Sequence, residues 1–208
     1  MGMGNLELLL GPMRSNKTGE LIHRVSIRQE YGHHNVLVVK PTTDTKSGGG
    51  LIETRDGNRK NKQRSLVAFE IPPKNPWEIF NILADEEKKI GGRFECVAID
   101  EGQFFKQFFA FVDTLLRRGY DAIIAGLDRD FRGEPFGDML NLTALTTNGG
   151  GITWRVAYCT KCGQKATLSQ RLIKGEPAPY NSGLIIPGDS YEPRCQSHFF
   201  LPDRPYPV

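Results

Sequence analysis

The sequence has no long apolar segment, since no run of apolar residues approaches the ~20 that a membrane-spanning helix needs. Its first residues lack the basic and apolar regions of a secretory signal peptide, so we expect a cytoplasmic protein. The formal net charge is only +3 over 208 residues, too small to indicate nucleic-acid binding by itself. With 38% hydrophobic and 25% charged residues, the composition indicates a soluble protein with one core, or one core and a small appendage.

Cysteine is scarce, and three of the four cysteines gather near the C-terminus, which in a cytoplasmic chain indicates a metal site before a disulfide. Two residues separate Cys159 from Cys162, and two separate Cys195 from His198. This spacing lets both ligands of a pair face one ion, so the sequence predicts a Cys₃His zinc site. Because four protein ligands leave no open coordination position, the zinc should be structural. Cys96 lies within an apolar segment and is expected to be a core residue.

A short apolar run at residues 6–10 precedes a glycine, a tight polar loop, and then Lys17 and Thr18. Strand, loop and helix in this order are typical of a phosphate-binding loop, where backbone N–H groups and the helix N-terminus surround the anion. The lysine would reach the outer phosphates, and the threonine hydroxyl would hold Mg²⁺. We call residues 11–18 the phosphate loop. Its predicted phosphate-binding residues are Gly11, Pro12, Met13, Arg14, Ser15, Asn16, Lys17 and Thr18.

The strict pattern of such loops, G-x-x-x-x-G-K-[ST], is not met, because Asn16 stands where the second glycine belongs. Asparagine is the least costly replacement if this residue must adopt left-handed backbone angles. Taken alone, the segment is also compatible with a lysine-capped turn before an amphipathic helix.

Strands alternate with helices along the rest of the chain. Helices are expected over residues 17–31, 76–90 and 103–118, and strands over residues 35–39, 66–69, 94–100, 121–126 and 152–157. The polar, Gly-rich residues 42–65 offer nothing for a core, and we expect a mobile loop over the nucleotide or a solvated insertion. The alternation implies a parallel sheet with right-handed crossovers.

One apolar strand ends in Asp100, and Glu101 follows it. In nucleotide-binding α/β proteins a carboxylate at this place lies beside the phosphate loop and holds Mg²⁺, often through water. The carboxylates and the phosphate loop together predict an ATP-binding α/β core.

Several segments carry a family resemblance: residues 11–18, residues 100–105 (DEGQFF), residues 126–137 (GLDRDFRGEPFG), residues 191–195 and the two metal-ligand pairs. In this combination the chain resembles the cellular, tetrameric (type II) thymidine kinase family over about residues 6–199. The resemblance implies an α/β fold with a P-loop (RecA-like) parallel sheet and helices on both faces. It also implies a small zinc-binding lobe carrying a lasso loop. Residues 1–150 would then bind ATP, and residues 151–208 would bind zinc and cover the nucleoside.

The same resemblance implies phosphoryl transfer from ATP to the 5′-hydroxyl of thymidine, and of deoxyuridine, with Mg²⁺ needed. The general base of the family maps to Glu101. A carboxylate next to Asp100 can take the proton of the 5′-hydroxyl as attack proceeds, or could equally polarise water in an ATPase. The expected partners are ATP and thymidine, with thymidine triphosphate as a feedback inhibitor of a homotetramer. No nucleic acid and no membrane partner is expected.

Two further sets of residues follow from the resemblance, position by position. The Mg²⁺-associated residues would be Thr18, Asp100 and Asp56. The nucleoside-binding residues would be Met13, Phe104, Leu127, Phe131, Ser169, Ile186, Gly188 and Tyr191. Ser169 falls where the family often has threonine, and Pro187 in the lasso loop removes one backbone N–H donor.

Two other functions fit parts of the sequence. A zinc ribbon that binds nucleic acid would use the basic residues 55–64, and its binding would depend on salt. That function leaves the phosphate loop and the neighbouring Asp100 and Glu101 without a role. A P-loop ATPase that acts on a partner would use them all, and ATP consumption without added nucleoside would distinguish it.

Overall fold

The computed structural model describes residues 2–43, 49–53, 65–146, 151–184 and 190–205. Three α-helices lie in these ranges: α1 (Lys17–Glu30), α2 (Glu78–Ile90) and α3 (Phe108–Arg117). None of the helices in the described part of the chain is long and apolar enough to cross a membrane. The strands there are β1 (Leu6–Leu10), β2 (Val36–Pro41), β3 (Leu51–Glu53), β4 (Ser65–Val67), β5 (Phe69–Ile71), β6 (Cys96–Ile99), β7 (Asp121–Gly126), β8 (Gly151–Trp154), β9 (Ala157–Tyr158), β10 (Lys165–Ala166), β11 (Leu168–Ile173), β12 (Glu176–Pro177) and β13 (Ser190–Arg194).

The central sheet is parallel. Within the described residues its six strands run in the order β5-β2-β6-β7-β1-β8, and every neighbouring pair is parallel. Its inner strands read as short apolar runs because both faces of the sheet are covered. The α/β fold with a parallel sheet, expected from the sequence, is confirmed.

Each face of this sheet has its own core, because successive side chains of a strand point to opposite faces. Leu6, Leu8 and Leu10 of β1 belong to the core that contains the apolar sides of α2 and α3. Leu9 belongs to a second core with Leu21 of α1. Helices therefore cover both faces, and α1 lies alone among the three on its side.

The ends of the helices follow from the backbone around them. α2 ends at Ile90 because Gly91 takes a φ of 64°, a left-handed C-cap. The sequence predicts that the third helix starts at residue 103, which is wrong: Gly102–Phe104 form a 3₁₀ turn, and α3 begins at Phe108. The N–H group of Phe108 donates to the carboxylate of Asp138 at 2.8 Å. This cap comes from 30 residues away, so the local sequence does not show it.

The prediction that nothing within residues 42–65 contributes to a core is wrong. β3 and β4 pair in antiparallel fashion, and Ile52 of β3 is fully buried in the core on the α1 side of the sheet. Three residues of β3 give too short a pattern to stand out among polar neighbours. Residues 44–48 and 54–64, which include Asp56, lie outside the described residues.

The chain after β8 forms small antiparallel sheets. β9 pairs with β10, and β11 lies between β12 and β13. We call the described residues from 157 onward the small lobe. β8 follows the expected boundary at residue 150 and yet pairs with β1 in the central sheet, so it leads from that sheet into the small lobe. The division of the chain at residue 150 stays a prediction.

The burial of Ile52 can be tested by substitution. Ile52→Ala should lower the free energy of unfolding by ~2–5 kcal/mol, as large-to-small changes in a core do. Val67→Ala is the matched control in the facing strand, because Val67 is 78% exposed. It should change the free energy by less than ~0.5 kcal/mol. Urea unfolding measures both, and equally small changes would show that Ile52 is not part of the core.

Candidate active site

Four neighbouring strands end at one edge of the central sheet. β6, β7, β1 and β8 are parallel, and the residues that follow them are Asp100, the loop 127–137, the phosphate loop and Arg155. Ligands of open α/β sheets bind outside the carboxyl ends of the strands. The structure thus brings together the phosphate loop and the two carboxylates, Asp100 and Glu101, that the sequence places far apart.

The phosphate loop contains two non-glycine residues in left-handed conformation. Arg14 has a φ of 60°, and Asn16 has a φ of 58° and a ψ of 38° at the N-cap of α1. The condition raised from the sequence is met, since Asn16 takes a left-handed conformation at the position of the second glycine. Gly11 opens the loop with a φ of 148°, and a Cβ there would lie 2.3 Å from the backbone oxygen of Arg155. The close approach of two backbones therefore requires glycine at position 11.

Lys17 folds back over the phosphate loop. Its Nζ donates to the carbonyl oxygen of Pro12 at 2.7 Å and to Ser15 Oγ at 3.5 Å. Burial lowers the pKa of Lys17, while the negative charges of Glu101 and Asp100 oppose that shift. An ammonium group held among backbone groups of a Gly-started loop is placed to meet an anionic ligand.

Asp100 lies against the start of α1. Thr18 Oγ1 donates to Asp100 Oδ2 at 2.9 Å. Burial, followed by the neighbouring charge of Glu101, raises the pKa of Asp100 to about 7. Hydroxyl and carboxylate oxygens are the hard donors that Mg²⁺ binds, and a cation would offset the repulsion between the two carboxylates. The donor set therefore fits the predicted Mg²⁺ site.

Glu101 is held in a strained backbone conformation. Its φ of 51° and ψ of 42° are left-handed, which costs a non-glycine residue ~1–3 kcal/mol. Gln103 fixes its side chain, because Gln103 Nε2 donates to Glu101 Oε2 at 2.5 Å. Gln103 Oε1 accepts the N–H of Leu127 at 2.9 Å. The sequence prediction missed this role of Gln103, although its place two residues after Glu101 in the DEGQFF segment is the signal.

Phe104, which is predicted to contact the nucleoside, packs against a second aromatic ring. The rings of Phe104 and Phe136 meet edge to face, with their centroids 5.6 Å apart. The sequence prediction contains Phe104 but missed Phe136, which lies in the 126–137 segment. Two other predicted residues are in contact, since the N–H of Met13 donates to Ser169 Oγ at 3.0 Å. This hydrogen bond joins the phosphate loop to β11 of the small lobe.

The second predicted centre is a compact group of donor atoms. One ligand atom from each of Cys159, Cys162, Cys195 and His198 lies within 4.8 Å of every other. The Sγ atoms of Cys162 and Cys195 are 3.7 Å apart, close to the edge of about 3.8 Å in a tetrahedron with Zn–S bonds of about 2.3 Å. Burial raises the pKa of the Cys159 thiol, but backbone hydrogen bonds outweigh burial and lower it to about 6. The group could therefore hold a metal ion.

Comparisons with known proteins agree with this arrangement. A family profile described as thymidine kinase matches residues 4–199. The chain belongs to the thymidine kinase family. A curated relative named thymidine kinase, from Mycoplasmoides gallisepticum (strain R(low / passage 15 / clone 2)), is 39% identical over 205 residues, which cover 97% of this chain and 84% of the relative. The resemblance found in the sequence is confirmed, and the protein is a kinase.

Two residues that the family resemblance assigns to the nucleoside lie in the small lobe or against it. Phe131 is 2% exposed and packs in an apolar group with Leu201, and Tyr191 packs against the same group. Phe131 therefore has a packing role, and its contact with a nucleoside stays a prediction. Ile186 and Gly188 lie outside the described residues.

The loop after β7 binds the segment that precedes residues 185–189. Arg132 Nε donates to the carbonyl oxygen of Tyr180 at 2.7 Å, and its Nη2 donates to that of Ser182 at 2.8 Å. The Tyr180 hydroxyl donates to Glu134 Oε1 at 2.7 Å. The carboxylate of Asp130 accepts hydrogen bonds from the backbone N–H groups of Arg132 and Glu134, and these bonds stabilise the turn at residues 130–134. The sequence prediction missed this network, because Arg132 and Tyr180 are 48 positions apart in the chain.

Asn16 restricts its neighbour in α1, and this coupling can be tested. A Cβ at Gly19 would lie 2.1 Å from Asn16 Oδ1. Gly19→Ala should therefore raise the free energy of unfolding by less than the ~1 kcal/mol by which alanine normally stabilises a helix relative to glycine. Asn16→Gly removes both this contact and the left-handed strain. In that background Gly19→Ala should raise the free energy of unfolding by the full amount. Urea unfolding of the two single variants and the double variant measures the coupling.

Additive effects of the two substitutions would show that the Asn16 side chain does not occupy the space above Gly19. Asn16→Gly alone should leave ATP binding equal or tighter, measured by calorimetric titration. A loss of affinity would show that the Asn16 side chain makes a contact of its own with the nucleotide.

Proposed function

We propose that this protein transfers the γ-phosphoryl group of ATP to the 5′-hydroxyl of thymidine, and of deoxyuridine, in pyrimidine deoxynucleotide salvage. The observation that carries the proposal is the hydrogen bond of 2.9 Å between Thr18 and Asp100, with Glu101 next in the chain. This bond supports the proposal because it joins the proposed phosphate loop to a proposed Mg²⁺-binding carboxylate, beside the proposed base, in a member of the thymidine kinase family. Such a site needs an acceptor hydroxyl to perform phosphoryl transfer.

The phosphate loop would bind ATP through its backbone N–H groups and through Lys17. The lysine would turn its ammonium group from Pro12 and Ser15 to the outer phosphates, because a charged oxygen is the better acceptor. Thr18 and Asp100 would hold Mg²⁺, which supplies charge neutralisation to the phosphates when it is bound. We propose Asp56 as a further carboxylate near the ion, on the family resemblance alone.

Glu101 is the proposed general base. A 5′-hydroxyl is a poor nucleophile, and a carboxylate in reach can take its proton as attack proceeds. Gln103 is the positioning residue of this carboxylate, since its amide group bonds to Glu101 and to the backbone of Leu127. These two contacts support the proposal, because they link the Glu101 side chain to Leu127, one of the residues proposed to flank the nucleoside.

The nucleoside would lie between the phosphate loop and the small lobe. Phe104 and Leu127 would flank it. Ser169 accepts the N–H of Met13, and this bond supports the proposal because it holds the two walls of the site together. The other residues of the proposed nucleoside site are Phe131, Ile186, Gly188 and Tyr191.

We assign a structural zinc ion to the Cys₃His group. Its four donors leave no open position for a substrate. The two ligand pairs lie at the two ends of residues 163–194, which contain the lasso loop proposed to cover the base. Holding these ends together removes part of the loop-closure entropy before a substrate arrives.

The remaining parts of the proposal rest on the family resemblance. They are a cytoplasmic location, a homotetramer and inhibition by thymidine triphosphate, with no nucleic acid and no membrane as partner.

The direct test is to incubate the protein with ATP, Mg²⁺ and each common deoxynucleoside, and to separate the products. Thymidine and deoxyuridine should become monophosphates, and the purine deoxynucleosides should not. Consumption of ATP without added nucleoside, and without any monophosphate, would instead indicate an ATPase.

Glu101→Gln should lower turnover by ~10²–10⁴, the usual contribution of a general base, and should leave ATP binding intact. The amide keeps the shape of the side chain but cannot take a proton. Glu95→Gln makes the same change just before β6, at the end away from the site, where Glu95 accepts the N–H of Asn35. Turnover of this control should stay near wild type. If Glu101→Gln turns over as fast as the control, Glu101 is not the base.

Cys162→Ser should lower the bound metal, destabilise the small lobe and weaken thymidine binding more than ATP binding, because the lobe supplies one wall of the nucleoside site. Cys96→Ala is the control, since Cys96 is buried in the central sheet and far in sequence from the metal ligands. Elemental analysis measures the metal, and separate titrations measure each substrate.

A wild-type protein that is fully active without metal would overturn the zinc assignment. Equal losses for both substrates in Cys162→Ser would show that the site supports folding only.

A further inference from the structure

Arg155, the first residue after β8, contacts the phosphate loop at its beginning and near its end. Its backbone N–H donates to the carbonyl oxygen of Leu10 at 2.7 Å. Its own carbonyl oxygen occupies the space that the missing Cβ of Gly11 leaves open. Its side chain then reaches the far part of the loop, where Nε donates to the carbonyl oxygen of Ser15 at 3.2 Å.

The carbonyl group that Arg155 binds lies at the most strained place of the loop. Ser15 is buried and stands between Arg14 and Asn16, both of which have left-handed backbone angles. Non-glycine residues keep such angles only where the surrounding structure holds them. A charged donor on the Ser15 carbonyl is such a restraint, since it fixes the peptide group that links Ser15 to Asn16.

We infer that Arg155 is a positioning residue for ATP: it holds the phosphate loop in its binding shape from the side of β8. The inference rests on the proposed function only in taking residues 11–18 as the nucleotide loop. A loop already in shape loses less freedom when the phosphates bind. Arg155 should therefore affect ATP affinity most, because its side chain binds the loop at Ser15. Of the proposed thymidine contacts only Met13 belongs to the loop, and the others, such as Phe104, lie on other elements.

The alternative is that Arg155 is one more ion pair at the edge of the sheet. Arg155 Nη1 lies 3.4 Å from Glu20 Oε2 of α1, so the contact to Glu20 belongs to that alternative. Arg24 provides the matched comparison, because it also binds Glu20, at 3.0 Å, and binds Thr153 of β8 at 2.9 Å. The exposed fractions of the two side chains are similar, 23% for Arg24 and 31% for Arg155.

The experiment compares Arg155→Met with Arg24→Met. Each variant loses one guanidinium group, and so one positive charge, that contacts Glu20 of α1. Three quantities are measured: the Kd of MgATP by calorimetry without nucleoside, the KM of each substrate, and the midpoint of urea unfolding. Arg155→Met should raise the Kd and the KM of ATP about tenfold, the effect of losing one charged hydrogen bond. The KM of thymidine should change less than about twofold.

Arg24→Met should lower the unfolding midpoint at least as much as Arg155→Met, and it should leave the Kd of MgATP within about twofold of wild type. Arg155→Lys, which keeps the charge and one donor, should restore most of the affinity. If Arg155→Met does not fold, Arg155→Gln replaces it with the same expected direction, because its shorter amide cannot carry the charge.

The inference is overturned if both methionine variants weaken ATP equally, if Arg155→Met weakens both substrates equally, or if it leaves the Kd of MgATP unchanged. If the protein binds MgATP but does not phosphorylate thymidine, the proposed function is wrong. The test of Arg155 remains valid in that case, because the Kd of MgATP is measured without nucleoside. A wild-type protein that does not bind MgATP would overturn both.

Discussion

The hydrogen bond between Thr18 and Asp100 depends on the parallel register of the central sheet. These residues are 82 positions apart in the chain, yet their side-chain oxygens lie 2.9 Å apart. β1 and β6 are both paired with β7, so they end at the same edge and deliver the phosphate loop and the carboxylates to one place. Any slip of one strand by a residue would exchange its two faces and remove this contact.

Much of this site could be predicted from the sequence because its signals are local. An apolar run, a glycine and a Lys-Thr pair define the phosphate loop within thirteen residues, 6–18. The left-handed conformation of Asn16 was predictable because the loop geometry needs it and asparagine tolerates it. The metal-ligand pairs are equally local, with two residues between the ligands of each pair.

The features that escaped prediction depend on partners far along the chain. Gln103 follows β6, and it accepts a hydrogen bond from the N–H of Leu127, which follows β7. The late start of α3 depends on Asp138, and burial of Ile52 depends on packing against the α1 side of the sheet. An isolated side chain gives no periodic signal, and the place of Gln103 in the DEGQFF segment does not show which group it binds, so only the assembled fold shows these partners.

β8 links the two centres of the molecule physically. Cys159 of the candidate metal group is four positions after Arg155 at the phosphate loop, a distance of at most ~14 Å for an extended chain. The bond from Met13 to Ser169 is a second link, and it joins the loop to β11. Two connections at separate points restrict both the rotation of the small lobe and its distance from the central sheet. The strained backbone of the phosphate loop is therefore held in part by contacts from outside the loop, at Arg155 and at Ser169.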